Sequence, residues 1–265
     1  MIPIYTVDAF TSQAYSGNPA AVCILQSFPE EDTWLQSIAA EMNLSETAFL
    51  CATEKRGSYK LRWFTKQAEV ELCGHATLAS AHVLWETGAA YGLDKLHFHT
   101  LSGVLTARRL QDSIELNFPA EPPEPSSAPE LLKQALGVEP VAVSRNRFDY
   151  IVEVASEQQV RELKPDFQLL KELPARGVLV TSRSDDPAYD ITARCFFSPI
   201  GIDEDPVTGS AYCALAPYWR TKLGKSGMTA IQLSARTGVV KLQTVEDRVR
   251  IEGKAVIVIK GLLMH

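Results

Sequence analysis

Three short stretches of this chain carry side chains able to move a proton. Glu46 sits in Asn43-Leu-Ser-Glu-Thr-Ala-Phe-Leu50, beside an apolar run. A carboxyl partly withdrawn from water favours its neutral form, which brings it into the range where it trades protons near neutrality. The plain alternative is a solvated glutamate in a turn. The second stretch is Cys73-Gly74-His75, and the third is Gly209-Ser210, which follows Asp203-Glu-Asp205. In both, a glycine opens an Ala-rich helical run. A helix start offers an anion several unpaired N–H groups and about half a positive charge, and glycine lets a ligand come close to the backbone. Each such start taken alone also fits an ordinary core helix. Cys73 reads either as a thiolate activated at a helix start or as a small buried residue.

The two glycine steps belong to one pattern written twice. Arg62-Trp-Phe-Thr leads through Glu69-Val-Glu-Leu to Cys73-Gly-His-Ala, and Arg194-Cys-Phe-Phe leads through Asp203-Glu-Asp to Gly209-Ser-Ala. Arg62 and Arg194 are 132 residues apart, as are Phe64 and Phe196, while Gly74 and Gly209 are 135 apart. Such a repeat implies two similar domains. Their helix starts are expected to face each other across an anion-binding cleft.

Stepwise periodicity supplies the elements that hold these residues. Ile2–Phe10 and Pro19–Leu25 read as strands around a Ser16-Gly-Asn-Pro turn. Glu31–Met42 has helical apolar spacing and stops at Asn43. Strands follow at Thr47–Cys51 and Tyr59–Thr65, then a helix from Gly74 to about Trp85 with Gly88 beyond its end. Ile114, Leu116 and Phe118 alternate as a strand up to Pro119. The Pro-rich run from Pro119 is expected to be the connection and a candidate hinge between domains 1–118 and 119–265, with the last strand able to return to the first. A short helix, Glu130–Leu136, ends at Gly137. Strands are expected at Asp149–Val154, Gly177–Thr181 and Arg194–Phe197, and Val249–Ile251 with Ala255–Ile259 as a hairpin-like pair. Antiparallel-looking strands with one central helix per domain point to the α+β class.

Bulk properties narrow the function. The chain has 265 residues, 46% hydrophobic and 22% charged, with a net charge of −6 and no Lys or Arg run. Nucleic acid and anionic membrane are therefore poor partners, whereas a small anion can still bind locally to backbone amides. Five scattered cysteines without CxxC spacing favour a reducing compartment over a disulfide scaffold or structural zinc. No signal peptide or membrane-length apolar run is read, so a cytoplasmic location is expected. His97 and His99 share a strand face but find no third ligand at metal spacing, and His82 reads as a packing residue. Gly224-Lys225-Ser226 imitates the end of a P-loop, yet Trp219 stands where its first glycine belongs. No GxGxxG or HExxH occurs, so no metal and no organic cofactor is expected.

Gly17-Asn-Pro-Ala-Ala-Val22, Asn43-Leu-Ser-Glu-Thr-Ala-Phe49, Cys73-Gly-His-Ala-Thr77 and Glu204-Asp-Pro-Val-Thr-Gly-Ser-Ala211 resemble the PhzF phenazine-biosynthesis family, in order and across essentially the whole chain. The resemblance implies the diaminopimelate-epimerase fold, two similar α+β domains that each curl a mostly antiparallel sheet around a central helix. It implies a cofactor-independent isomerase of a small cyclic or unsaturated carboxylate, and a homodimer. Carried over by motif, Glu46 is the general acid and base, joined by His75, Asp205 and Ser210. Asn18, Cys73, Gly74 and Gly209 would bind substrate. Related amino-acid epimerases use a cysteine at each helix start; Cys73 fits the first, Asp205-Pro206 lies near the second, and Cys213 lies too far into its helix. An epimerase or racemase pairing Cys73 with Glu46 or Asp205 therefore stands as one alternative. A non-enzymatic metabolite-binding or interaction protein is the other.

Overall fold

The structure, a computed structural model, describes residues 1–264. In chain order it runs β1 (Ile2–Ala9), β2 (Asn18–Leu25), α1 (Thr33–Met42), β3 (Thr47–Ala52), β4 (Ser58–Phe64), β5 (Glu69–Val70) and α2 (Gly74–Glu86). Next come β6 (Lys95–Thr100), β7 (Gly103–Arg109), β8 (Ile114–Pro119), β9 (Glu124–Pro125), α3 (Glu130–Leu136), β10 (Ala142–Arg145) and β11 (Asp149–Glu153). The remainder is α4 (Glu157–Glu162), α5 (Phe167–Lys171), β12 (Gly177–Arg183), β13 (Ile191–Phe197), β14 (Ile202–Asp205), α6 (Tyr212–Leu223), β15 (Gly227–Gln232), β16 (Gly238–Val245), β17 (Arg248–Gly253) and β18 (Ala255–Leu263). The chain forms two compact units, one of residues 1–117 and 252–265, the other of residues 118–251.

Both units are built to the same ladder. In the first, β18 pairs with β1 and β1 with β2, both antiparallel; β2–β3 is parallel, β3–β4 antiparallel, β4–β6 parallel and β6–β7 antiparallel. In the second, β9–β10–β11 is antiparallel, β11–β12 parallel, β12–β13 antiparallel, β13–β15 parallel and β15–β16 antiparallel. The parallel joints, which strand patterns alone do not show, follow from the helices. A strand can pair in parallel with a later one only through a long crossover. Here α1 and α2 supply the crossovers of the first unit, α4–α5 and α6 those of the second.

Helices cover both faces of the central strands, so these strands read as continuous apolar runs rather than as alternation. Leu35, Ile38 and Ala39 of α1 pack with Cys23, Leu25, Phe49 and Phe64. α2 is buried on nearly every side, Ala76, Leu78, Ala79, Val83 and Leu84 being closed to solvent. In the second unit Leu132, Leu136, Val160 and Leu170 cover Val152, Val178, Val180 and Phe196. Strands with one open face do alternate: Leu96 and Phe98 of β6 point inward, and Ile114, Leu116 and Phe118 of β8 do the same.

Two expectations change. β17 and β18 are not a hairpin: one residue, Lys254, separates them, too few for a hairpin turn, and β18 runs antiparallel along β1. The Pro-rich run is strapped down within the second unit. β9 pairs Glu124 and Pro125 with Arg145 and Ser144, and Ala120 N–H donates to the Asp247 carbonyl. Its neighbour Glu121 donates N–H to the Cys213 carbonyl at 2.8 Å. That acceptor is open because Pro217, four residues later inside α6, has no N–H to donate.

Candidate active site

Local chain geometry delivers Glu46 to the edge of its sheet. α1 stops when Asn43 turns left-handed, at φ 54, and its N–H closes on the Ala39 carbonyl. β3 then starts at Thr47, parallel to β2, and the Glu46 carbonyl accepts the Ala21 N–H at 3.3 Å. The Glu46 backbone is thus pinned to β2. Asn18, at the start of that strand, is fully buried. The tight turn before it requires Gly17, at φ +66, where a Cβ would meet the Ala9 carbonyl at 2.2 Å.

The route to α2 explains the repeated Arg-x-Phe. Arg62 Nε and Nη2 each donate at 2.7 Å to one oxygen of Glu69, fastening β5 to β4, and its guanidinium lies 5.1 Å over the Phe64 ring. Arg194 repeats this with Glu204 of β14, at 2.8 Å for both bonds, and lies 5.1 Å over Phe196. These arginines are clamps that aim the chain at the helix start. Cys73 is extended at the cap of α2 without a side-chain cap bond. The thiol thus does not compete for the first-turn amides, which carry the helix's partial positive charge.

Glu46, Cys73 and His75 converge. One donor atom from each lies within 4.8 Å of the others. His75 Nε2 stands 3.2 Å from Glu46 Oε2, with side-chain exposures of 5% and 13%; the approach lacks hydrogen-bond alignment at Nε2. On the ring's other edge, Nδ1 is 3.6 Å from Cys73 Sγ. The three side chains thus form a close triangle. Burial pulls the His75 pKa down to about 3, so the ring is neutral at physiological pH.

The second motif is held differently. Asp205 ends β14 and is buried, and the Thr208 hydroxyl donates to its Oδ2 at 2.6 Å. Gln232 braces the same turn, accepting from the Thr208 N–H at 3.0 Å and donating to the Asp205 carbonyl at 2.8 Å. Gly209-Ser210-Ala211 then forms one 3₁₀ turn before α6. Ser210 Oγ is 3.5 Å from Arg176 Nη1. Arg176 is held by both oxygens of buried Asp149, at 2.9 and 2.5 Å, and lies over the rings of Phe148 and Phe197. The sequence reading missed Arg176, which stands outside the repeated motif.

The two copies match in architecture and differ in chemistry. Phe64 pairs with Thr47 and its counterpart Phe196 with Val178, so the second-copy position of Glu46 is Gly177. A Cβ there would meet the Phe197 ring at 2.3 Å. The counterpart of Cys73 is Thr208, not Asp205-Pro206, when the spacing of Gly74 and Gly209 is applied. A second thiol is absent from that place, and Cys213 is buried with its pKa pushed up to about 12, burial being the main cause. The symmetrical two-thiol arrangement is not formed. His97 is half-buried, and exposed His99 meets the Ser58 hydroxyl at 2.7 Å. Among the described residues, no helix is long and apolar enough to cross a membrane.

Comparison with known proteins agrees over the full length. The family model for phenazine biosynthesis-like protein, PhzC-PhzF, matches residues 7–261. An uncharacterized isomerase of Halalkalibacterium halodurans is 51% identical over 263 residues, covering 99% of this chain and 98% of its own. The crystal structure of a PhzF-family phenazine biosynthesis protein from Enterococcus faecalis is similar with a TM-score of 0.93 and 39% identity, covering 98% of each chain. At 18% identity, a Pseudomonas aeruginosa protein described as a predicted epimerase shares the fold, with a TM-score of 0.75 over 100% of both chains.

Proposed function

The chain belongs to the phenazine biosynthesis-like PhzC-PhzF family and is an isomerase, and from that premise we propose that it shifts a proton on a small cyclic or unsaturated carboxylate, with Glu46 as both base and acid. The observation that carries this reading is the placement of Glu46: a mostly buried carboxyl, 13% exposed, set 3.2 Å from an imidazole that burial keeps neutral. A group so placed can take a proton from carbon and hold it away from bulk water.

The reaction balances without a further reagent. Glu46 carboxylate takes a proton from one carbon, and the electron pair left behind spreads into the adjoining unsaturated system. The same proton, now on Glu46, is returned at a conjugated carbon, so substrate and product are isomers. Amides at the uncapped start of α2 are suited to stabilise the charge while it is delocalised. Cys73 and Gly74 frame that start, and Asn18 lies on the strand that anchors Glu46. Gly209, Ser210 and Asp205 carry the second motif and are assigned to substrate recognition.

The test is proton NMR in D₂O with purified wild type and Glu46→Gln, over a panel of small carboxylates that includes dihydro-hydroxyanthranilate, diaminopimelate and hydroxyproline isomers. Deuterium entering at carbon with wild type, and not with the variant, is the expected result. Undiminished exchange with Glu46→Gln removes the assignment. Asp205→Asn and Ser210→Ala form a separate arm, in which Ser210→Ala is expected to raise KM more than it lowers kcat.

A further inference from the structure

The thiol beside His75 has no task in the reaction just described, although it touches the ring that touches Glu46. We propose that Cys73 is a positioning residue: its S–H donates to Nδ1 of His75 and thereby holds the ring proton on Nε2, facing Glu46. This rests on the reading of Glu46 as the proton-moving group and adds to it the reason that group stays basic.

Carboxyl, ring and thiol lie within 4.8 Å of one another, and the protons they share can be counted. The ring is 4% exposed, and nothing cationic is stabilised there, so it carries one N–H and one bare nitrogen. Glu46 Oε2 lies 3.2 Å from Nε2 and Cys73 Sγ 3.6 Å from Nδ1. If the proton sat on Nδ1, two lone pairs would oppose each other across the shorter gap unless Glu46 were itself protonated. A protonated Glu46 could not act as the base. With the proton on Nε2, the carboxylate faces an N–H rather than a lone pair across that gap, and the bare Nδ1 accepts from the thiol S–H. The arrangement also survives the reaction, because Nε2–H can face Oε2 whether or not Glu46 holds the transferred proton.

The second copy makes the point by contrast. Where Cys73 and His75 stand, it has Thr208 and Ser210, and the Thr208 hydroxyl is spent on Asp205 at 2.6 Å. No ring needs orienting there, and no thiol is present.

¹⁵N NMR of histidine-labelled protein decides the matter without any substrate, His75 being assigned by the signal lost in His75→Gln. The expected result is an Nε2–H tautomer in wild type and in Cys73→Ser, whose hydroxyl can donate likewise, and a mixed or Nδ1–H ring in Cys73→Ala. An Nδ1–H ring in wild type, or an unchanged ring in Cys73→Ala, overturns the proposal. Turnover is then followed on the substrate identified by deuterium exchange. The orienting partner of a functional imidazole is worth about 10–100-fold where it has been gauged at metal-bound rings, and kcat of Cys73→Ala is expected to fall on that scale with little change in KM. Cys73→Ser should restore most of it; an altered tautomer with full kcat in Cys73→Ala also overturns the role. Failure of the Glu46 assignment looks different: Glu46→Gln would keep turning over while the tautomer result stood.

Discussion

Burial sets the chemistry of the individual residues here more than their identity does. His75 is an ordinary imidazole until the core of the first unit closes around it and takes its pKa from 6.5 down to about 3. This has a consequence for stability. Between those values the unfolded chain binds a proton at His75 and the folded one does not, so stability is lost as pH falls through that window, by at most about 1.4 kcal/mol per pH unit. Urea unfolding between pH 7 and pH 4.5 should show that slope in wild type and a shallower one in His75→Gln. Equal slopes would mean that the ring accepts a proton in the folded state. Burial in the two units also shields the cysteines from outside reagents: all five are buried, and burial pushes Cys23 up to about 12. Alkylation of the folded protein should therefore be slow at every thiol, and a thiol that reacts at once would contradict its burial.

At the scale of elements, the duplicated arginines do structural work that their pattern left unassigned. Arg194 is mostly buried, makes two charge-assisted bonds to Glu204, and donates to the Val160 and Leu163 carbonyls at the end of α4. Arg194→Ala is expected to cost about 1.5–3 kcal/mol, the range of hydrogen bonds to charged groups, read as a lower urea midpoint at constant m. An unchanged midpoint would make the clamp ornamental. Gly177 is a steric requirement: Ala there would press on the Phe197 ring and the Phe196 carbonyl, and overpacking of this kind costs about 1–3 kcal/mol. Pro217 shows an apparent defect with a use. The helix bond it forfeits frees the Cys213 carbonyl to hold the Pro-rich strap through Glu121.

For the whole molecule, the governing fact is one ladder used twice, with the last strand given back to the first unit. β18 covers β1 along eight paired positions, from Ile2 with Leu263 to Ala9 with Ala255. Removing the chain from Ala255 onward would leave β1 with an open apolar edge, a template for intermolecular pairing. The truncated protein is expected to aggregate or to lose protection of β1 and β2 in hydrogen exchange, while β11–β13 stay protected. Protection unchanged in β1 would show that the closing strand is dispensable. The repetition also locates a chemical asymmetry, since Glu46 corresponds to Gly177 and Cys73 to Thr208, and this supports the proposed reading with one proton-moving carboxyl.

The sequence by itself determined what depends on near neighbours in the chain. The helix Glu130–Leu136 with its Gly137 end, the stop at Asn43, the alternation of Ile114, Leu116 and Phe118, the duplicated Arg-x-Phe to glycine pattern and the family to which the four motifs point were all legible, because propensity, capping and periodicity act within a few residues. Only the tertiary structure decided the rest. Strand partners are chosen by contacts far apart in the chain, so the four parallel joints, the pairing of β18 with β1 and the tied Pro-rich strap could not be read from local pattern. The meeting of thiol, ring and carboxyl belongs to the same class: Glu46 lies before β3, and Cys73 and His75 at the start of α2. It is the fold that brings the three together and removes the water that would otherwise set their proton affinities.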